Sequence, residues 1–406
     1  MRLGTAIAIA FALTACVAAD GSGSFDDTTG TIDSDLALDT GLAAGGARSG
    51  LRARLQRGLD VLHADGMVGV VGEVSDGGAR IDARSGAARA DSHEPAAFDA
   101  RFRMGSNTKT FVAVVILQLV EEGALDLDDT VERWLPGVVA GHGHDGTRIT
   151  IRQILQHTSG IFNYTQDLLA TFALQDYLAM RFEHVAPEAL VAIAMAHEPN
   201  FAPGAGWSYS NTNYVLAGMI IQKVTGRNWS AEVRARITEP LHLSHTFDPR
   251  DWPDLPRPAL RGYTQFTEGG PLVDVTLFNH TWADAAGALV TTANDLTRFW
   301  RALQGGALLG PAMMAEMHAT VPAPELAEVI PGVGYGLGIL RVPTSCGGAY
   351  WAHYGDTIGF STRNAVDDAG TRAVAFAENT SLLPAAQERA LRDDLQLLDD
   401  LMCLGR

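Results

Sequence analysis

The sequence predicts an α/β (α+β) fold: one antiparallel sheet flanked by N- and C-terminal helices, with a mostly helical second lobe inserted into it. Three observations predict it. Two short strand-like runs near residue 70 are separated from a group of late ones, after residue 330, by a long stretch of helical texture. Leucines at helical spacing precede the first pair, and an amphipathic run closes the chain. No internal repeat breaks this order.

The elements follow in sequence. Leu51, Leu55, Leu59 and Leu62 recur at helical spacing. Residues 67–74 and 80–84 read as strands, joined by the hairpin signal at Ser75, Asp76, Gly77 and Gly78. Phe102 to Met104 lead into Gly105 and Ser106, and then into a helix with Phe111, Val112, Val115 and Leu119 inside and Gly123 as its stop. Residues 127–135, 149–155, 187–196 and 213–224 read as further helices, the last closed by Thr225 and Gly226. Strand texture returns at 334–341, 350–354, 359–366 and 372–378, with a hairpin turn at 367–370. Residues 385–404 form the closing helix.

The chain has 406 residues and a formal net charge of −17, which argues against nucleic acid and anionic membrane surfaces as partners. Residues 1–15 carry one Arg and an apolar run too short to span a bilayer, the pattern of a signal peptide. Their end, Leu13 to Cys16, looks like a bacterial lipobox, implying cleavage before Cys16 and a lipid on its thiol; the alternative is an ordinary signal with an incidental Cys. Residues 16–50 are rich in Asp, Gly, Ser, Thr and Ala and read as a disordered acidic tether, leaving 51–406 as the folded domain. The expected product is exported and touches a membrane only through its anchor. Cys346 and Cys403 then remain for a disulfide worth about 4 kcal/mol, or for two separate buried thiols.

Ser106 and Lys109 carry the first chemical signal. They lie three residues apart at a helix start, hence on one face. All but two of the 30 Lys and Arg residues are Arg, and one of the two lysines is Lys109. Arg cannot release its proton, whereas a buried Lys can and so can act as a base. The plain alternative is a capping Ser with an incidental Lys. Tyr209 and Asn211, on a turn-rich approach to a helix, place a phenol beside an amide. His353 and Gly355 stand by a late strand. His142, His144 and Asp145 lie in a Gly-rich loop and read as solvent-exposed, so neither a metal nor a cofactor is expected.

Ser-x-x-Lys, Tyr-x-Asn and His-x-Gly in this order resemble the penicillin-recognising serine hydrolases, the branch of class C β-lactamases and D-alanyl-D-alanine carboxypeptidases. Residues 102–109, 118–127, 157–160, 209–214 and 334–338 resemble the soluble His-x-Gly carboxypeptidase subgroup, as does a Cys shortly before His353 paired with one near the C-terminus. The resemblance implies that Ser106 forms an acyl-enzyme, with Lys109 and Tyr209 sharing the base role and His353 replacing the Lys of many relatives. It implies that Asn211, Trp282, Gly355, Asp356 and Thr357 contact substrate, and that the backbone N–H groups of Ser106 and Asp356 form an oxyanion hole. His157 is expected to order its loop.

The departures bear on substrate. Where that subgroup grips a terminal carboxylate with Arg stands Leu340; its neighbour Arg341 substitutes only if a bulge shifts the register. Tyr354 and Asp356 replace the helping hydroxyls, and an Asp repels a carboxylate ligand. The primary expectation is a monomeric DD-peptidase-like hydrolase acting on peptides, amides or esters, with peptidoglycan stem peptides or β-lactams as candidate ligands. Weak carboxypeptidase activity and a preference for neutral or amine-bearing acyl groups are expected. The alternatives are an esterase or D-amino-acid amidase, a class C-type β-lactamase, and a non-catalytic penicillin- or cell-wall-binding lipoprotein.

Overall fold

The computed structural model of the chain describes residues 40–169 and 173–405. Cys16 and the leader lie outside them. Strands β1 (Gly69–Asp76) and β2 (Ala79–Gly86) form the first hairpin, turning at Gly77 and Gly78, both at positive φ. The remaining strands of the main sheet are β3 (Val321–Pro322), β4 (Gly334–Tyr335), β5 (Leu340–Pro343), β6 (Ala349–Ala352), β7 (Gly355–Thr357), β8 (Phe360–Val366) and β9 (Arg372–Glu378). Their order is β2-β1-β9-β8-β6-β5-β4-β3, with β7 paired to β8, and every pairing is antiparallel. The first hairpin thus joins the late strands through β1 and β9, in register from Val70 opposite Glu378 to Asp76 opposite Arg372.

Side-chain size differs between the two faces of this sheet. Val374 and Phe376 of β9, with Val70 and Val74 of β1, pack under helices α1 (Thr40–Ala64) and α7 (Pro384–Cys403), against Leu51, Leu55, Leu59, Leu398 and Leu401. Ala373, Ala375 and Ala377 point to the other face, where small side chains let α6 (Ala293–Gln304) lie close. There α2 (Thr108–Glu121) runs through the core, and Phe111 stacks on Phe299 of α6 with ring centroids 3.6 Å apart. The second lobe is built from α3 (Ile151–Gln156), α4 (Pro187–Met195), α5 (Asn211–Thr225) and short turns. Gly226 ends α5 in the left-handed conformation.

Four local expectations change. Residues 40–50, read as the end of the tether, continue α1. Only Val131–Trp134 is helical within 127–135. The single strand expected over 334–341 is the hairpin β4–β5, bent at Gly338, whose φ is 73°. His353 and Tyr354 fall between β6 and β7 rather than inside a strand. Leu340 is buried and Arg341 is exposed, so no bulge turns Arg341 inward.

Two glycines set where α2 meets the sheet. A Cβ on Gly355 would stand 2.0 Å from the Met104 carbonyl oxygen and 2.9 Å from the Ser106 nitrogen. One on Gly105, itself at φ 51°, would stand 2.9 Å from the Asp356 nitrogen. Backbone therefore lies on backbone, and the side chain of Asn364 on β8 locks the contact by donating to both the Asn107 side chain and the His353 carbonyl. A disulfide between Cys346 and Cys403 ties the turn before β6 to the end of α7, across a sequence separation of 57.

Two outcomes follow. Replacing both bridge cysteines by Ser lowers the unfolding free energy by about 4 kcal/mol on the chain-entropy account; an unchanged urea midpoint would refute it. Gly355→Ala destabilises the fold by about 1–3 kcal/mol, because backbone and not a flexible side chain must move, and it spreads the Ser106 and Asp356 nitrogens apart. A variant as stable and as reactive at Ser106 as the parent would show that the contact is not required.

Candidate active site

Ser106 sits on the 3-10 turn Gly105–Asn107 that runs directly into α2, so its own N–H is among the unpaired donors of a helix start. The Asp356 nitrogen lies at the same glycine contact, 2.9 Å from where a Gly105 Cβ would stand, and two backbone donors at one place in the cleft suit an oxyanion. Lys109 follows on the first turn of α2 and is fully buried. Its Nζ stands 3.0 Å from Ser106 Oγ, 2.7 Å from Asn211 Oδ1 and 2.8 Å from the Ala286 carbonyl oxygen.

These three partners settle the amine's geometry. Asn211 Nδ2 faces Asn163 Oδ1 and Thr165 Oγ1, so Oδ1 is the atom turned to Lys109. Asn211 Oδ1 and the Ala286 carbonyl can only accept. A neutral amine has two protons, and these two acceptors take both, leaving its lone pair toward the Ser106 hydroxyl. Burial holds the Lys109 pKa well below its ordinary value, which favours that neutral form.

Tyr209 stands across the same space: Lys109 Nζ lies 4.8 Å from its ring centroid, and its hydroxyl is hydrogen-bonded with Ser106. Burial raises this phenol well above its usual pKa, an effect larger than the opposing Ser106 hydrogen bond. The approach loop is pinned where Glu325 accepts from the Tyr209 backbone N–H at 3.3 Å.

His353 is engaged elsewhere. Asn213 offers its Oδ1 to Ser159, so its Nδ2 donates to His157 Nδ1 at 3.1 Å, and the Ser210 N–H donates to the same nitrogen. His157 therefore carries its proton on Nε2 and donates to the Tyr335 hydroxyl; Tyr335 donates to His353 Nε2 at 2.9 Å; His353 Nδ1–H donates to the Tyr354 carbonyl. Burial first, and the nearby Lys109 second, push the His353 pKa down to about 3. Both rings are neutral at ordinary pH, and both His353 nitrogens point away from Ser106.

The cleft over Ser106 is walled by Tyr164, Asn211, Trp282, Asp356 and Thr357. Tyr164 donates to the Trp282 carbonyl at 2.7 Å, and His280 Nε2 bonds Thr357 Oγ1 at 2.8 Å. The loop bearing Trp282 hangs on Arg103, whose buried Nη2 donates to the carbonyls of Pro253, Thr276 and Phe278. Sequence reasoning missed Arg103, Asn163, Tyr335 and Asp284. Only Asp284 left a faint signal, as a polar residue in an Ala-rich run; at φ 39° it accepts from Trp229 Nε1 and turns the chain toward Ala286. His144 is buried while His142 and Asp145 are exposed, and no group of three metal-ligating side chains converges among the described residues. A separate cleft lined by Ser230, Thr238, His242 and Arg250 shares no residue with that of Ser106.

The D-stereospecific amidohydrolase of a Streptomyces species is 42% identical, with a TM-score of 0.78 over 84% of this chain and 98% of that one. The D-amino acid amidase of Ochrobactrum anthropi SV3, solved with L-phenylalanine amide, is 27% identical, with a TM-score of 0.75 over 87% and 98%. Protein flp of Staphylococcus aureus is 30% identical over 196 residues, 48% of this chain; the match spans only 37% of that curated relative's length. The family model described as Beta-lactamase matches residues 51–398. An antiparallel sheet between helices, with a helical lobe and a Ser–Lys pair at the junction, is a serine-hydrolase architecture, and the chain belongs to the beta-lactamase family.

Proposed function

We propose that the protein is an exported serine amidohydrolase that cleaves D-amino-acid amides, esters or short D-peptides through an acyl-enzyme on Ser106. One observation carries the choice of substrate: among the described residues, the cleft over Ser106 is lined by no Arg, Lys or His, and its wall includes a carboxylate, Asp356. A terminal carboxylate would meet repulsion instead of a guanidinium clamp. The likeness to the Streptomyces amidohydrolase and the Ochrobactrum amidase supports the same reading, ahead of the D-alanyl-D-alanine carboxypeptidase reading of the motifs. Export and lipid anchoring rest on residues 1–16.

In this mechanism Ser106 Oγ attacks the substrate carbonyl and passes its proton to the Lys109 lone pair. The oxyanion sits between the Ser106 and Asp356 N–H groups. The C–N or C–O bond then breaks, and the proton returns to the leaving group through the Tyr209 hydroxyl, which burial keeps protonated. A water then gives its proton to the same amine and attacks the acyl carbonyl; the Ser106 Oγ–acyl bond breaks, the acid leaves, and Lys109 returns the proton to Oγ. His353 acts as a positioning residue, holding the approach to β7 through the Tyr354 carbonyl.

The pH dependence has a definite sign. The active amine is neutral, so kcat/KM on an uncharged ester rises with pH through the depressed Lys109 pKa and then levels off; Lys109→Arg abolishes turnover, since Arg keeps its proton. A rate that falls with rising pH in this limb would exclude Lys109 as base. Tyr209→Phe slows amides more than p-nitrophenyl esters by about 100-fold, because p-nitrophenolate leaves without a proton. Equal losses on both would remove the shuttle role. Ser106→Ala loses all turnover and the acyl adduct seen by intact mass. Rapid D-alanine release from stem peptides by the parent would favour the carboxypeptidase reading.

A further inference from the structure

The Asp356 carboxylate is divided between two environments. Oδ1 is buried and lies 2.9 Å from Arg363 Nη1, yet the side chain as a whole is 38% exposed at the wall of the Ser106 cleft. Oδ2 has no hydrogen-bond or ion-pair partner among the described residues, and the residue contributes to the wall of the cleft. Arg363 is 2% exposed and also bonds Asp394 of α7 at 2.9 Å, and Asp394 is wholly buried. Glu378 on β9 completes the cluster, and neither of its oxygens meets a donor from the protein, nor does Asp394 Oδ1. Burial, then the neighbouring Asp394, raises the Glu378 pKa well above its usual value.

The two carboxyl groups bound to Arg363 differ in exposure. Asp394 is fully enclosed, whereas Asp356 is 38% exposed and belongs to the wall of the Ser106 cleft. A carboxylate serving only to balance Arg363 would be enclosed as Asp394 is. The Asp356 nitrogen lies at the Gly105 contact and the residue lines the cleft over Ser106, so its carboxylate is available to a cationic group carried beside the substrate carbonyl.

Building on the amidohydrolase reading, we propose that Asp356 is the specificity residue that binds the substrate's free α-ammonium through Oδ2, while Arg363 holds Oδ1 and fixes the carboxylate. The site therefore selects acyl donors with an unblocked amine over acylated or amine-free ones.

The test uses three p-nitroanilides with one leaving group: D-phenylalanyl, N-acetyl-D-phenylalanyl and 3-phenylpropionyl, each with the parent protein, Ser106→Ala and Asp356→Asn. The parent is expected to favour the free amine over both uncharged donors by about 30-fold or more in kcat/KM, as loss of a charge-assisted hydrogen bond would give. In Asp356→Asn the ratio is expected to collapse toward one, chiefly through KM. Ser106-dependent turnover without preference in the parent, or an unchanged ratio in Asp356→Asn, overturns this inference and leaves the amidohydrolase reading standing. Absence of Ser106-dependent turnover of all three overturns both. The parent measurement alone decides the matter if the variant does not fold.

Discussion

The site depends on one close approach of two backbones. Gly105 and Gly355 lie so near each other's chains that a Cβ on either would overlap backbone atoms, at 2.9 Å and 2.0 Å. Everything chemical is referred to that contact. It brings the Ser106 and Asp356 N–H groups together, it seats α2 so that Lys109 comes under the second lobe, and Asn364 closes it from β8. Neither lobe contains the site alone.

Around this contact, burial decides protonation. Lys109, His157 and His353 lie in surroundings that penalise a positive charge, and Tyr209 in one that penalises a negative charge. The groups near Ser106 are therefore held neutral, which is what a base, an acid and two orienting rings require. Arg363 stays charged because it is held between Asp394 and Asp356. The same short segment of β7 thus carries a backbone N–H near Ser106 and a carboxylate bound to Arg363.

Much of the fold was legible because its signals are local. The periodic leucines before β1, the Gly77 and Gly78 turn, the helix stop at Gly226 and the hairpin turn at 367–370 between β8 and β9 each act within a few residues. The misreadings share a cause as well. Residues 334–341 look like one strand because Gly336 and Gly338 are compatible with strand or turn, and only packing against Ala113 of α2 selects the bend. Arg103 and Tyr335 were invisible as functional residues because their partners lie far away in the chain, at 253–278 and at His157 and His353.

The sequence by itself determined the cast: a serine and a scarce lysine on one helical face, a phenol and amide before another helix, and Leu340 where a carboxylate-binding Arg would stand. The first two are matters of residue type and spacing, and the Leu340 position follows from the resemblance to the His-x-Gly carboxypeptidases. Only the tertiary structure decided which Lys109 proton goes where, which tautomer each histidine holds, and that Asp356 is shared between Arg363 and the cleft. Each depends on an acceptor or charge delivered from a distant part of the chain, and on desolvation, which no residue carries until the others close over it.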